Sequence, residues 1–310
     1  MAEQLFYIFV YPGLLFAGIV GGLLSWFDRK ITAQVQFRKG PPLLQPFYDF
    51  LKLLLVKETI LPARGSKLTF LIAPVLGLFG ATASAVMILL PLFNINIGFE
   101  GDVIVIFYLL TIPSLTYIIG ALASANPLAA VGASREMKLI ISYELTFLLI
   151  FAAVILKADH GITMNEIIQS QQAGGAFIGS ISGVLLFIAS LFCIQAKLGM
   201  VPFDIAEAET EIGEGSFIEY SGTIYGIVKF TKYIMLFILP ALIVGFLMGG
   251  FNFEGIGILW SILKLLAVVL LLTLIRNTNP RLKIKQAMRF FLIGMNALVI
   301  IAIVLTYLGL

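Results

Sequence analysis

The chain is 310 residues long, 60% hydrophobic and only 12% charged, where an average soluble domain is about 25% charged. With a mean hydropathy of +1.05, that composition excludes a soluble enzyme, a nucleic-acid binder and a disordered chain. The net charge is +3, and one cysteine, Cys193, with one histidine, His160, argues against a disulfide framework, a multi-cysteine zinc or iron–sulfur site and paired-histidine haem ligation. The chain is expected to hold no metal or other cofactor of its own.

Crossing a bilayer takes about 20 predominantly apolar residues in a helix. Eight runs reach that length, near 4–27, 68–92, 102–124, 138–157, 177–197, 222–249, 256–276 and 289–309. The first opens at Glu3 without the basic leader of a signal peptide. These runs predict an all-α polytopic membrane protein, a single integral domain over 1–310 with eight transmembrane helices. In the first loop, Pro46 opens a segment whose Asp49, Lys52 and Glu58 leave a broad apolar face. It is too short and too charged to cross, and it is expected to lie as a short helix at the cytoplasmic interface. Glycines such as Gly18, Gly21 and Gly22 inside the first run suit close helix packing in lipid.

Sixteen of the twenty basic residues fall in the odd-numbered loops or at their edges, from Arg29 and Lys30 in the first to Arg281 and Arg289 in the seventh. The opposite side holds only Lys157, while Lys229, Lys232 and Lys264 lie within spans. The positive-inside rule therefore predicts cytoplasmic odd-numbered loops and both termini outside.

An ionisable group in a span costs about 2.5–3.5 kcal/mol on insertion scales and calls for a reason. Glu144 sits inside the fourth run with Ser142, Tyr143 and Thr146 close in sequence. It reads either as a neutral acid satisfied by those neighbours or by an adjacent helix, or as a proton-relay carboxyl. Lys264 lies too deep for easy snorkelling, whereas Lys229 and Lys232 stand nearer an edge. The fifth loop is the densest acidic feature, with Asp204, Glu207, Glu209, Glu211, Glu214 and Glu219, six of the seventeen acids. The spacing of Asp204, Glu207 and Glu211 would put them on one face of a helical turn. Crowded carboxylates raise one another's proton affinity, so the loop reads as a coupling element. The plainer reading is that its acids only pair with Arg38, Lys39 or a docked basic surface. His160 reads as a surface residue and Cys193 as packing.

Three separated motifs resemble the complex I subunit-1 family, which includes NuoH and the HycD and EchB subunits of energy-converting nickel–iron hydrogenases. They are Arg38-Lys39-Gly40-Pro41-Pro42 with Asp49, Lys52, Lys57 and Glu58; Ala133-Ser134-Arg135-Glu136 followed by Ser142-Tyr143-Glu144; and Pro202-Phe203-Asp204 through Glu219, Tyr220 and Gly222. The resemblance spans nearly the whole chain. It is nearest the hydrogenase branch and related sulfur reductases: quinone-reducing members usually have Asn at the position of Pro42, Arg near Met200 and Glu at Lys232. It implies a non-catalytic membrane-anchoring and energy-coupling subunit of a ferredoxin-linked respiratory complex. Arg29, Arg38, Lys39, Asp49, Lys52, Lys57, Glu58 and Arg135 would then dock a peripheral arm. Glu144, Tyr143, Asp204, Glu207, Glu209, Glu211, Glu214, Glu219, Lys229, Lys232 and Lys264 would carry protons or couple. Partner subunits would hold iron–sulfur clusters and a nickel–iron centre, and antiporter-like membrane subunits would stand alongside in the lipid bilayer of the cell membrane. The alternatives are a quinone-binding subunit of a complex I-type dehydrogenase and, in another class, a stand-alone ion-coupled transporter. No inverted repeat or broken half-helix, the usual marks of a transporter, is visible in the sequence.

Overall fold

The structure, a computed structural model, describes residues 2–95 and 98–309, with the side chains of Ala2, Glu209 and Thr210 outside the description. Among the described residues it is helical without strands. In chain order the helices are α1 (Ala2–Phe9), α2 (Leu14–Val35), α3 (Gln45–Leu55), α4 (Lys67–Leu92), α5 (Asp102–Ala123), α6 (Pro127–Lys157), α7 (Met164–Gly174), α8 (Ile181–Lys197), α9 (Glu209–Ile212), α10 (Gly222–Leu247), α11 (Gly257–Thr278), α12 (Ile284–Arg289) and α13 (Asn296–Tyr307). A π-helical segment, Phe290–Met295, makes α12 and α13 one continuous rod.

Local chemistry sets the helix starts. Ser66 caps α4 by accepting from the Thr69 amide. Asn126 caps α6 by accepting from the Leu128 amide at 2.9 Å, with Pro127 at the first helical position. Both are arrangements that satisfy the orphan donors of a first turn. The Asn126 cap lengthens the fourth span backwards, so Arg135 and Glu136 stand on α6 itself rather than in the connecting loop where the sequence pattern put them.

Seven helices among the described residues are long and apolar enough to cross a membrane. The fifth expected span, 177–197, is reduced to the 17-residue α8. Ser180 caps it by accepting from the Gly183 amide, and a 3-10 turn, Phe177–Gly179, precedes it. Seventeen residues is the lower limit for crossing. The short first-loop helix forms as α3. The α7 helix, absent from the pattern of long apolar runs, starts on a Thr163–Glu166 capping box.

Helix α10 is the central strut, buried on nearly all sides from Tyr233 to Leu247. It packs against α2, α4 and α3. Small residues set the α2–α10 distance: a Cβ on Gly21 would stand 1.9 Å from the Tyr233 carbonyl oxygen, and one on Gly18 2.1 Å from the Phe230 ring. Backbone cannot yield as a side chain can, so Gly21→Ala is expected to cost about 3 kcal/mol or more. Gly294→Ala, with no heavy atom within 4 Å of the new Cβ, is expected to be neutral. Thermal unfolding of the two purified variants checks the contrast.

Candidate functional site

Low charge content makes each buried ion conspicuous, and a buried ion persists only where a partner offsets part of its desolvation. The Lys197 side chain, at the end of α8, is 1% exposed and forms an ion pair with Glu144 of α6. Its ammonium also lies 4.8 Å from the centre of the Phe147 ring and 5.3 Å from that of Tyr143, an attraction that is strong when desolvated. The second carboxylate oxygen of Glu144 is buried without a hydrogen-bond partner among the described residues.

The acidic loop supplies the neighbouring pairs. Glu207 accepts from Lys232 of α10 at 2.6 Å, and Asp204 pairs with Arg281 at 2.7 Å. A backbone bond from Leu282 to the Pro202 carbonyl, 3.1 Å, holds the segment before α12 against the loop and brings Arg281 to Asp204. Burial pushes the Asp204 carboxyl up from its ordinary value, the Arg281 guanidinium pulls it part of the way back, and the net direction is upward. Gly215 sits at φ +50, and a Cβ there would meet the Ala206 carbonyl oxygen at 2.0 Å, so this fold of the loop requires glycine.

Two neighbouring cavities that share part of their lining run along these groups. The larger, about 350 Å³, is walled by Asp28, Arg29, Asp204, Glu207, Lys229, Lys232, Arg276 and Arg281 together with backbone and apolar side chains. The smaller, about 20 Å³, shares Glu207, Lys232, Leu198 and Gly199 with the first and adds Glu136, Lys197 and Tyr117. Asp28 of α2, buried, accepts from Thr273 at 3.0 Å and from Arg276 at 2.6 Å. The charged groups therefore form a row, from Asp28–Arg276 and Asp204–Arg281 through Glu207–Lys232 and Glu136 to Lys197–Glu144.

The expected site residues divide accordingly. Glu144, Asp204, Glu207, Lys229 and Lys232 belong to the row or to its cavity walls. Tyr143 stands beside it and donates a long bond, 3.4 Å, to Ser114. Lys229 lies 4.9 Å from the Tyr225 ring centre and, like Lys232, lines the larger cavity. Glu144 does not use its sequence neighbours. Ser142 donates back to the Lys138 carbonyl of its own helix and Thr146 to Asn296 of α13, so neither hydroxyl is spent on Glu144.

Nor do Asp204, Glu207 and Glu211 share a helical face. Between Asp204 and Glu211 helix begins only at Glu209, and the three acids turn to Arg281, Lys232 and Arg135, the last at 2.7 Å from Glu211. Neither Arg38 nor Lys39 is their partner. Glu219 accepts from Asn126 at 2.5 Å, Glu214 is exposed, and the Glu209 side chain lies outside the described residues. Lys264 is remote from the row. It donates to the Met248 carbonyl at 2.6 Å, at the far end of α10 and sixteen residues from the Lys232 that the acidic loop holds, about 24 Å away at 1.5 Å per residue.

Of the basic first-loop group, Arg29 pairs with Asp49 at 2.9 Å. Burial opposes the Asp49 charge, but Arg29 and Gln45 outweigh it and hold the carboxyl below its usual range. Arg38, Lys39, Lys52, Lys57 and Glu58 are exposed, and Arg135 is half-buried against the loop. Lys197, Glu136, Asp28, Arg276 and Arg281 escaped sequence reasoning as members of the site. Each lies at a span edge, where a charge reads as ordinary loop chemistry.

A helical bundle with a row of partly buried paired charges at one end of its spans defines a polytopic membrane protein with an ionisable interior. Its relatives say which. The family model described as NADH dehydrogenase matches residues 8–307, and the chain belongs to that family as a NuoH-type membrane subunit of a multisubunit respiratory oxidoreductase complex. It is 32% identical over 301 residues to the H subunit of the NADH-quinone oxidoreductase of Brevibacillus brevis, covering 91% of this chain and 87% of the relative. The H subunit of the same enzyme from a Geobacillus strain is 33% identical over 289 residues, covering 88% and 83%. Among solved structures, a chain of the membrane-bound sulfane sulfur reductase, an archaeal respiratory membrane complex, superposes with a TM-score of 0.87 at 26% identity, covering 99% of this chain and all of that one.

Proposed function

We propose that this subunit links redox chemistry in a docked peripheral arm to ion translocation, in a ferredoxin-linked complex of the membrane-bound hydrogenase and sulfur reductase type. The observation that carries the reading is the row of charges, half-exposed at the acidic loop and buried at its inner end, that leads to the Lys197–Glu144 pair. A shift in the arm that moves the loop alters the charge facing Lys232. Each change of pairing along the row then alters proton affinity at the next carboxylate. The unpartnered oxygen of Glu144 offers the acceptor at the inner end. The chain itself supplies no redox group. Iron–sulfur clusters and a nickel–iron centre belong to the arm's subunits, and antiporter-like subunits beside this one move the ion.

Glu144→Gln keeps size and hydrogen bonding but cannot exchange a proton. The purified complex reconstituted in vesicles is expected to assemble with this variant and to lose at least nine-tenths of the ions moved per electron. Wild-type pumping per electron overturns the relay role. For orientation, cysteines placed at Lys57 and Glu214, both exposed, are expected to label from the cytoplasmic side only; labelling from outside reverses the docking side.

The names of the curated relatives favour one further reading, a quinone-reducing complex. The larger cavity has the volume of a small-ligand site, but such sites are predominantly apolar. Eight charged side chains on its wall suit a hydrated interior better than an isoprenoid quinone. Quinone co-purifying in stoichiometric amount, and displaced when Arg281 is changed to Ala, decides for the quinone reading.

A further inference from the structure

The Tyr117 hydroxyl, on α5, is buried and has no hydrogen-bond partner among the described residues. Its ring is fixed edge-to-face against Phe217, with centroids 5.0 Å apart. Tyr117 lines the 20 Å³ cavity together with Glu136, Lys197, Glu207 and Lys232. A buried hydroxyl without a partner is costly, and neither lysine, each turned to its carboxylate Glu144 or Glu207, makes a hydrogen bond to it.

The volume identifies the occupant. One water needs roughly 10–15 Å³ of such space and two to four polar partners. The cavity, about 20 Å³, has room for one water and is too small for a hydrated ion or an organic molecule. Its wall offers a phenol that donates and accepts, two carboxylates that accept and two ammonium groups with further donors.

We propose that this cavity is the binding site of a single ordered water, held by the Tyr117 hydroxyl and the Glu136 carboxylate. This water bridges the Glu207–Lys232 pair to the Lys197–Glu144 pair. It takes one proton from the Glu207 side and releases one toward Glu136, ending as water. Tyr117 is a positioning residue that acts through it. The inference rests on the coupling role proposed above.

The test is a cryo-EM map of the intact complex at a resolution that shows ordered water, for wild type and for Tyr117→Phe, which preserves the ring packing. The wild-type map is expected to show one peak within hydrogen-bond distance of the Tyr117 hydroxyl. In Tyr117→Phe that peak is lost, and the ions moved per electron fall at least fivefold. An empty wild-type cavity, a water retained in the variant, or full coupling by the variant each overturns the proposal. Glu144→Gln, measured alongside, separates the two levels. If it uncouples and Tyr117→Phe does not, the bridging water fails while the relay stands. If neither uncouples, the relay fails too.

Discussion

Lys197→Met is expected to destabilise the protein by about 3–5 kcal/mol, the usual cost of stranding one member of a buried ion pair. The Lys197 side chain is 1% exposed and that of Glu144 14%, so removing the ammonium leaves a carboxylate that little water can reach. The damage should follow from the orphaned charge, not from lost volume, since methionine fills nearly the same space beside Phe147 and Tyr143. Lys197→Met combined with Glu144→Gln is therefore expected to recover most of the stability while remaining uncoupled. Unfolding midpoints of the purified complexes for the two single variants and the double variant measure this as a coupling energy. A Lys197→Met protein as stable as wild type would mean that the pair is not buried in the assembled complex.

The second large effect separates two acids that the sequence treats alike. Glu207→Gln is expected to abolish most ion movement per electron while leaving the peripheral arm on the membrane. Glu211→Gln is expected to change stability by less than about 1 kcal/mol, the ordinary value of a surface pair, and to leave coupling intact. Glu207 faces both cavities and holds Lys232, whereas the Glu211 side chain is 63% exposed beside Arg135. Yield of arm subunits on washed membranes, with ions moved per electron, reads both outcomes. If Glu211→Gln strips the arm and Glu207→Gln leaves pumping unchanged, the loop is a docking surface only.

Much of the fold was legible because hydrocarbon imposes a strict rule. A span must satisfy its backbone internally and hide its polar groups, so apolar run length by itself marks α4, α5, α10 and α11 within a few residues. Capping chemistry fell outside that rule. Asn126-Pro127 starts α6 well before the apolar run begins, and Ser180 starts α8 late, so the fourth span is longer and the fifth shorter than their hydropathy. The first-loop helix was legible from its amphipathic spacing, and α7 was not, since it is short and its neighbours are polar.

At the site, the sequence by itself determined which charges demanded explanation: Glu144 because it is an acid in a span, and the fifth loop because six acids crowd there. Whether each acid is a lone titrating group or half of a pair depends on residues far away in the chain. Glu144 meets Lys197 after 53 residues, Glu207 meets Lys232 after 25, and Asp28 meets Arg276 after 248. Local spacing instead put Asp204, Glu207 and Glu211 on one face and gave Glu144 its helix neighbours as partners. Both fail for one physical reason: the backbone direction at each residue sends its side chain to a different helix. Only the packing of α2, α6, α8, α10 and α11 around the acidic loop could decide which opposite charge waits there, and that packing alone turns scattered ionisable residues into a continuous row.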